Sequence, residues 1–243
     1  MDKRSLQTGI RILKEEGLVS LLKKSYYYLI ELLSYPFLLL RFTISKPKYP
    51  ESLEVAFSSN LIKPAQIKSE IDSLLKLLKK EKPKRMLEIG TGKGGTLLLF
   101  SSVLPKRAKI ITVDMRGGAF GAGYPYWMIP LLKSYKQKNQ ELFLVQSDSH
   151  RKETLRKIEK LLGKDKLDFL FIDGDHSYYG VERDFSLYHR LVKKGGLIAM
   201  HDINANVNGC GTIQFWDELK KNYPDNIEII DGPNGYGIGV LRV

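Results

Sequence analysis

From residue 85 onward, apolar runs of four or five residues, bounded by turn formers, alternate with longer stretches in which apolar residues recur at helical spacing. The runs fall at 85–89, 110–114, 142–146, 169–172, 197–200, 227–230 and 237–241. Their continuous apolar character marks strands buried on both faces. Helix-like stretches at 96–103, 127–138, 152–162 and 181–192 separate the first five runs, and another at 211–222 precedes the sixth. Upstream, Ile67, Ile71, Leu74, Leu75 and Leu78 share one face of a helix over 66–79, with lysines opposite. This alternation predicts an α/β fold, doubly wound and Rossmann-like, with a seven-stranded, mainly parallel sheet. Only residues 231–236 separate the last two strands, too few for a parallel crossover, so they predict an antiparallel C-terminal hairpin.

The first 50 residues read differently. Residues 6–42 are apolar-rich and helical in character, with Gly17 placed to separate two helices and Pro36 to kink or end the second. Lys46-Pro-Lys-Tyr-Pro50 then reads as an extended connector. The chain thus divides into a helical N-terminal extension and linker, 1–50, and an α/β domain, 51–243. Within the extension, residues 25–40 carry three tyrosines and a Phe-Leu-Leu-Leu run flanked by Lys23, Lys24 and Arg41, interrupted by Glu31 and Pro36. A bilayer span needs about 20 mostly apolar residues, so this is not a transmembrane helix. It also starts too late, and lacks the small-residue cleavage site, for a secretory signal. Two readings stand: a helix that packs against the domain or a second copy of the chain, and one that lies peripherally on a membrane surface.

Composition narrows the class. Of 243 residues, 43% are hydrophobic and 27% charged, which excludes wholesale disorder and collagen-like structure. One cysteine excludes an internal disulfide and a Cys-based zinc site, and fits a cytoplasmic protein, the membrane reading adding contact at the inner face. Lys+Arg 39 against Asp+Glu 27 gives a net charge of +12. The basic residues are scattered, without an RNP-type motif or an Arg-rich run, so no nucleic-acid partner is predicted.

The chemistry begins where the first strand runs into Glu88-Ile-Gly90-Thr91-Gly92-Lys-Gly94-Gly95. Glycines here let the backbone turn sharply and approach a ligand beneath the following helix. Asp114 ends the second strand, where a carboxylate can accept hydrogen bonds from both hydroxyls of a ribose. Gly90, Gly92 and Gly95 also match G-x-G-x-x-G, so NAD and S-adenosylmethionine both compete for the turn. Glu88 before the first glycine, the terminal hairpin and the lack of room for a separate catalytic domain favour S-adenosylmethionine.

At this point the chain resembles the class I S-adenosylmethionine-dependent methyltransferases. The segments that carry the likeness are Leu87-Glu-Ile-Gly-Thr-Gly-Lys-Gly94, Ile111-Thr-Val-Asp114, Phe171-Ile-Asp-Gly-Asp-His176 and Gly195-Gly-Leu-Ile-Ala-Met-His-Asp202. More narrowly it is similar to methyltransferase family 24, the group of cephalosporin-hydroxylase-like, macrocin and rhamnosyl O-methyltransferases. A glycine-aromatic loop over 117–130 adds to that likeness. The resemblance covers residues 63–243 and implies a methyltransferase that transfers to a hydroxyl of a sugar, glycan or other small molecule.

Cofactor contacts are then expected at Glu88, Gly90, Thr91, Gly92, Gly94 and Asp173 around the turn and at Asp114 for the ribose. Met115 is placed to pack on the adenine, and Asp148 with Ser149, after the third strand, to meet its amino group. Asp148 equally reads as a helix N-cap. The fourth and fifth strands, neighbours in this fold, end at Asp173 and His201-Asp202, which brings two carboxylates into one small volume. A divalent cation is the natural bridge between them, with Asn204 as a further oxygen donor. The metal-dependent relatives resemble an aspartate at the Asp173 position followed by an acidic pair after strand five. Here His201-Asp202 stands in that place, so Mg²⁺ and a softer ion with imidazole ligation both stay open. His176, with Asp175 beside it, is the candidate general base, a placement the macrocin-type enzymes resemble. Its alternative is to cap the turn into the next helix. Tyr124, Tyr126 and Trp127 read as a lid or as core cover. The rival readings are a cofactor-binding protein without turnover, acting through its N-terminal region, and an NAD-binding protein.

Overall fold

The computed structural model describes residues 3–116, 123–205 and 209–243, with side chains left out for 3–12, Tyr27, Tyr28 and Glu31. The chain runs α1 (Lys3–Ile44), α2 (Glu51–Ser58), α3 (Lys68–Glu81), β1 (Arg85–Ile89), α4 (Gly95–Val103), β2 (Lys109–Asp114), α5 (Ile129–Ser134), β3 (Glu141–Gln146), α6 (Lys152–Leu162), β4 (Leu167–Ile172), α7 (Tyr178–Tyr188), β5 (Val192–His201), α8 (Thr212–Leu219), β6 (Asn226–Ile229) and β7 (Ile238–Arg242). The strands form one seven-stranded sheet in the order β3-β2-β1-β4-β5-β7-β6. All pairs are parallel except β5–β7 and β6–β7. The expected terminal hairpin is therefore present, and its second strand inserts beside β5.

Alternate residues of each strand feed opposite layers. Met86, Phe169 and Phe171 join α2, α3, α4 and α5 on one face of the sheet. Leu87, Ile89, Leu170 and Ile172 join α6, α7 and α8 on the other. Both faces are covered by helices, which is why the strands read as unbroken apolar runs.

Register places the site. Ile89 pairs with Val113 on β2 and with Ile172 on β4, and Ile172 pairs with Met200 on β5. The next residue on each strand (Gly90, Asp114, Asp173 and His201) therefore reaches the same level at the carboxyl edge. That edge, at the point where the strand order reverses, is where open α/β sheets bind ligands.

Several expected boundaries move. The helix expected over 127–138 is a 3-10 turn, Tyr126–Met128, and the short α5, because Pro130 sits in its first turn. The helix expected over 181–192 starts at Tyr178, capped by the Ser177 hydroxyl, and hands over through a 3-10 turn to β5 at Val192. Helix α2 was not expected, as its eight residues are too few to show a period.

The N-terminal extension is helical through Pro36 as far as Ile44, and only Gly17, at φ 85, breaks its geometry. Pro36 therefore does not end the helix. Tyr35, Leu38, Leu39 and Phe42 pack it onto the domain. The Tyr35 hydroxyl donates to the Trp127 carbonyl at 2.8 Å, and Phe42 meets Tyr135 edge to face at 5.2 Å.

Candidate active site

Beyond β1 the chain must turn within van der Waals reach of β4. Gly90 has φ +91, and a Cβ there would lie 1.9 Å from the Asp173 carbonyl oxygen. No other residue fits, by conformation or by space. The turn wraps a carboxylate: Asp114 Oδ2 accepts the amides of Thr91 at 2.9 Å and Gly92 at 2.7 Å. The expected ribose-binding acid thus already spends one oxygen on holding the turn's shape. Burial pushes Asp114 up to about 6 against those amide bonds. Beneath the turn Glu88 is fully buried, accepts the Thr112 hydroxyl at 2.7 Å, and has Oε1 without a partner among the described residues. Burial raises it to about 8, against its hydroxyl partners Thr96 and Thr112.

On the other side of the reversal, the ends of β4 and β5 build a second cluster. His201 Nδ1 stands 3.0 Å from Asp173 Oδ1 and 3.0 Å from Asp202 Oδ1. Asp202 Oδ2 in turn lies 2.7 Å from His176 Nδ1. The Gln66 amide donates to Asp173 Oδ2 at 2.6 Å, closing a chain Gln66–Asp173–His201–Asp202–His176. Asp202 adopts φ 64, a left-handed conformation uncommon outside glycine, and that turn brings its carboxylate to His176. For His176, burial opposes the charged ring, but the Asp202 hydrogen bond and the charges of Asp173 and Asp202 prevail and raise its pKa. His201 is raised against burial by the same two acids. Asp202 is lowered, the two imidazoles outweighing its burial.

Turn and cluster open on a common cavity of about 470 Å³, walled by Gly90–Lys93, Asp173, His176, His201 and Asp202. Gln66, Lys63 and Tyr236 also line it, and sequence reading missed all three. Gln66 precedes α3 with no motif around it, and only the fold brings it to Asp173. Cys210, in a loop whose Asn208 lies outside the described residues, borders the same cavity.

The remaining expected residues divide. Asp175 is not in the cavity wall: its carboxylate accepts the Ser177 amide at 2.9 Å and packs against Gly180, so it caps the entry to α7 while His176 faces the cavity. Gly94 also turns away, since a Cβ on it would strike Leu132 at 2.2 Å, and it serves the core under α5. Asp148 accepts the His150 amide at 2.8 Å in a turn ahead of α6, with Arg151 3.8 Å away; it is not the helix N-cap, a position that Arg151 takes. Ser149 presents its carbonyl to the Tyr188 hydroxyl at 2.6 Å. Met115 is exposed at the end of β2, next to residues 117–122 of the expected glycine-aromatic loop, which lie outside the described residues. Asn204 Nδ2 donates to the Gly235 carbonyl at 2.9 Å, which ties the side chain to the β6–β7 loop. Of the lid candidates, Tyr124 is core, Tyr126 is exposed with Arg116 4.4 Å over its ring, and Trp127 anchors Tyr35.

Asp173, His201 and Asp202 each offer a ligand atom, all within 4.8 Å of one another. One imidazole and two carboxylates fit a divalent ion, and a borderline one better than a hard one. The unpartnered Glu88 oxygen, by contrast, awaits a donor, and the acids around the turn disfavour a diphosphate.

Known proteins share this architecture. The O-methyltransferase from Bacillus cereus, solved with SAH, superposes with a TM-score of 0.54 at 19% identity, over 79% of this chain and 89% of that one. MycE from the mycinamycin biosynthetic pathway, solved with Mg, SAH and mycinamycin VI, gives 0.53 at 16% identity, over 82% of this chain and 55% of that one. Caffeoyl-CoA O-methyltransferase from Populus kitakamiensis is 32% identical over 126 residues, 51% of this chain and 48% of that protein. The chain spans less than half the length of the curated relatives it matches, 16%, 17% and 48% for the first three. The family model described as a methyltransferase domain matches residues 87–203. That span begins in β1, contains the glycine turn, Asp114, His176 and the whole histidine–acid cluster, and ends just past Asp202, so the part of the chain that matches the methyltransferase-domain family is the part that builds the site.

Proposed function

We propose that the protein is an S-adenosylmethionine-dependent O-methyltransferase whose acceptor is a hydroxyl of a sugar, glycan or other small molecule, with His176 as general base. The observation that carries this reading is the shared cavity in which the glycine turn and the His176–Asp202 pair meet. Gly90–Gly92 would cradle the amino-acid end of the cofactor, with Glu88 beneath its ammonium. Asp114 would meet the ribose, and Met115, Asp148 and Ser149 border the adenine.

With Nδ1–H donated to Asp202, the neutral His176 ring carries its lone pair on Nε2. His176 takes the hydroxyl proton there as the acceptor oxygen bonds to the methyl carbon and the carbon–sulfur bond breaks, its electron pair returning to sulfur. Asp202 holds the ring's orientation and stabilises the imidazolium that forms, while Gln66 and His201 hold Asp173 and Asp202 in place. Asp173, His201 and Asp202 would hold a divalent ion, as the Mg in the MycE structure suggests, and such an ion polarises an acceptor oxygen when bound.

Calorimetric titration of S-adenosylhomocysteine into chelator-treated protein, then with Mg²⁺ or Mn²⁺, tests the cofactor, with NAD⁺ as control. Binding of S-adenosylhomocysteine alone is expected, and a preference for NAD⁺ overturns the reading. Labelled methyl transfer to a panel of sugars, phenols and amines tests the acceptor. Cofactor binding with transfer to none of the hydroxyl acceptors would leave a binding protein in place of the enzyme.

A further inference from the structure

Helix α1 has two apolar faces. One, formed by Tyr35, Leu38, Leu39 and Phe42, is packed on the domain. The other is Leu18, Leu22, Tyr26, Leu29, Leu33, Phe37, Leu40 and Ile44, all exposed, with Phe37 and Ile44 at 75%. These eight recur at intervals of four, four and three, a repeat of 11 residues. At 3.6 residues per turn they fall within about 100° of arc, on the side of the helix away from the packed residues. An 11-residue repeat has a period of about 3.67, close to that of a straight helix, so the stripe keeps to one side for the ~40 Å from Leu18 to Ile44. It presents on the order of 1,000 Å² of apolar surface, above the few hundred usual on a monomer.

The occupant is set by charge. Residues 1–50 hold nine Lys and Arg against four Asp and Glu, and the whole chain is +12. Lys23 and Arg41 fall together on one border of the stripe, whereas Lys24 and Glu31 fall on the far side of the helix. Arg41 pairs with Glu51, but this is an exposed pair of little net worth, which an anionic surface can compete for. Twofold antiparallel pairing with a second copy would set Lys23 within a turn of the other copy's Arg41 on the same border, like charge against like. No helix among the described residues is long and apolar enough to cross a membrane, and a stripe of this width suits a helix lying in the interfacial plane.

We infer that α1 docks the domain on an anionic lipid surface through the Leu18–Ile44 stripe, its opposite face staying packed on the domain. Hydrophobic insertion and basic attraction act together, so binding requires both the apolar stripe and anionic headgroups.

The test is co-sedimentation of the full chain with vesicles of phosphatidylcholine alone and of phosphatidylcholine mixed with phosphatidylglycerol. Binding is expected to the mixed vesicles only. A Leu33→Glu, Phe37→Glu double variant should lower it by about tenfold or more, with the thermal melt and S-adenosylhomocysteine binding unchanged because both positions are exposed. Cofactor binding therefore fails or holds independently of lipid binding. No sedimentation with anionic vesicles overturns the inference. So does concentration-dependent dimerisation, lost in the same variant, without lipid binding, which would make the stripe a self-association face.

Discussion

The two sides of the strand-order reversal handle buried acids in opposite ways. Around Asp173 and Asp202 each carboxylate has an imidazole within 3.0 Å, and the pKa shifts run apart: Asp202 down, His176 and His201 up. Around Glu88 and Asp114 the partners are hydroxyls and amides, and both acids move up, to about 8 and about 6. The first side is charged and internally compensated, so it can exchange a proton with a substrate at neutral pH. At the second, burial disfavours the charged carboxylates, and a cationic or hydroxyl-rich ligand would favour them. That asymmetry matches the two demands of methyl transfer, a base on one side and the grip on a cationic cofactor on the other.

Removing the base breaks the comparison most severely. His176→Ala should lower kcat/KM by about 10²–10⁴-fold and leave S-adenosylhomocysteine affinity within about threefold, measured by single turnover and calorimetry. Equal loss in both would make His176 a binding residue. The sign of its titration follows: only the neutral ring accepts a proton, so activity should rise with pH through a value above 6.5. Asp202→Asn should move that limb down, since burial then acts with less opposition. Next in size is Gly90→Ala, which touches both sides at once. Its Cβ would collide with the Asp173 carbonyl, and its φ is left-handed. A loss of about 2–4 kcal/mol of stability is expected in denaturant titration, and a neutral substitution would refute the close approach of β1 and β4.

Glu88→Gln sharpens the other side. Glu88 is raised from 4.5 to about 8, so between those values the folded state holds a proton that the unfolded state has lost, and stability falls as pH rises across that window. Asp114 adds a smaller decline between 3.8 and about 6. The ligand-free protein should therefore melt lower at pH 8.5 than at pH 6, and Glu88→Gln should shrink the difference in stability between those two pH values by about 2 kcal/mol. An unchanged difference would mean that Glu88 is not the buried acid responsible.

The central strands were legible because both of their faces are buried, which leaves continuous apolar runs, while the half-exposed edge strand β6 was legible from its isoleucines. The hairpin was legible from a connection too short to cross over. The glycine turn, Asp114, His176 and the Asp173–His201–Asp202 group were legible because strand ends fix them to one edge. What escaped depended on packing at a distance. Gln66 reaches Asp173 across 107 positions of sequence, which no local pattern reports. Asp175 and Gly94 sit inside motif segments yet serve a helix cap and a core contact, because spacing does not tell which way a side chain turns. Pro36 reads as a breaker, yet α1 continues through it where Tyr35, Leu38 and Leu39 are packed, so tertiary contact outweighs local preference there.

The smallest effect is expected where α7 holds the loop after β3. Asp184, fully buried, stands 3.4 Å from His150 Nε2, long for a hydrogen bond but close for an ion pair. Beside it Arg183 donates to the His150 carbonyl at 3.1 Å, and the Tyr188 hydroxyl donates to the Ser149 carbonyl. These contacts make α7 the support of the Asp148–His150 segment, on the proposed adenine side. Asp184→Asn keeps the volume and removes the charge, so S-adenosylhomocysteine affinity should fall by about three- to tenfold with kcat little changed. The effect has a sign in pH. Burial raises the Asp184 carboxyl against its His150 contact, and that contact raises His150 against burial, so the pair needs both groups charged and its contribution is lost as pH rises through the raised His150 value. The variant's deficit in affinity and in thermal stability should therefore be larger at pH 6 than at pH 8.5. A deficit independent of pH would assign the loss to packing around Gly174, which Asp184 also abuts, and not to the ion pair.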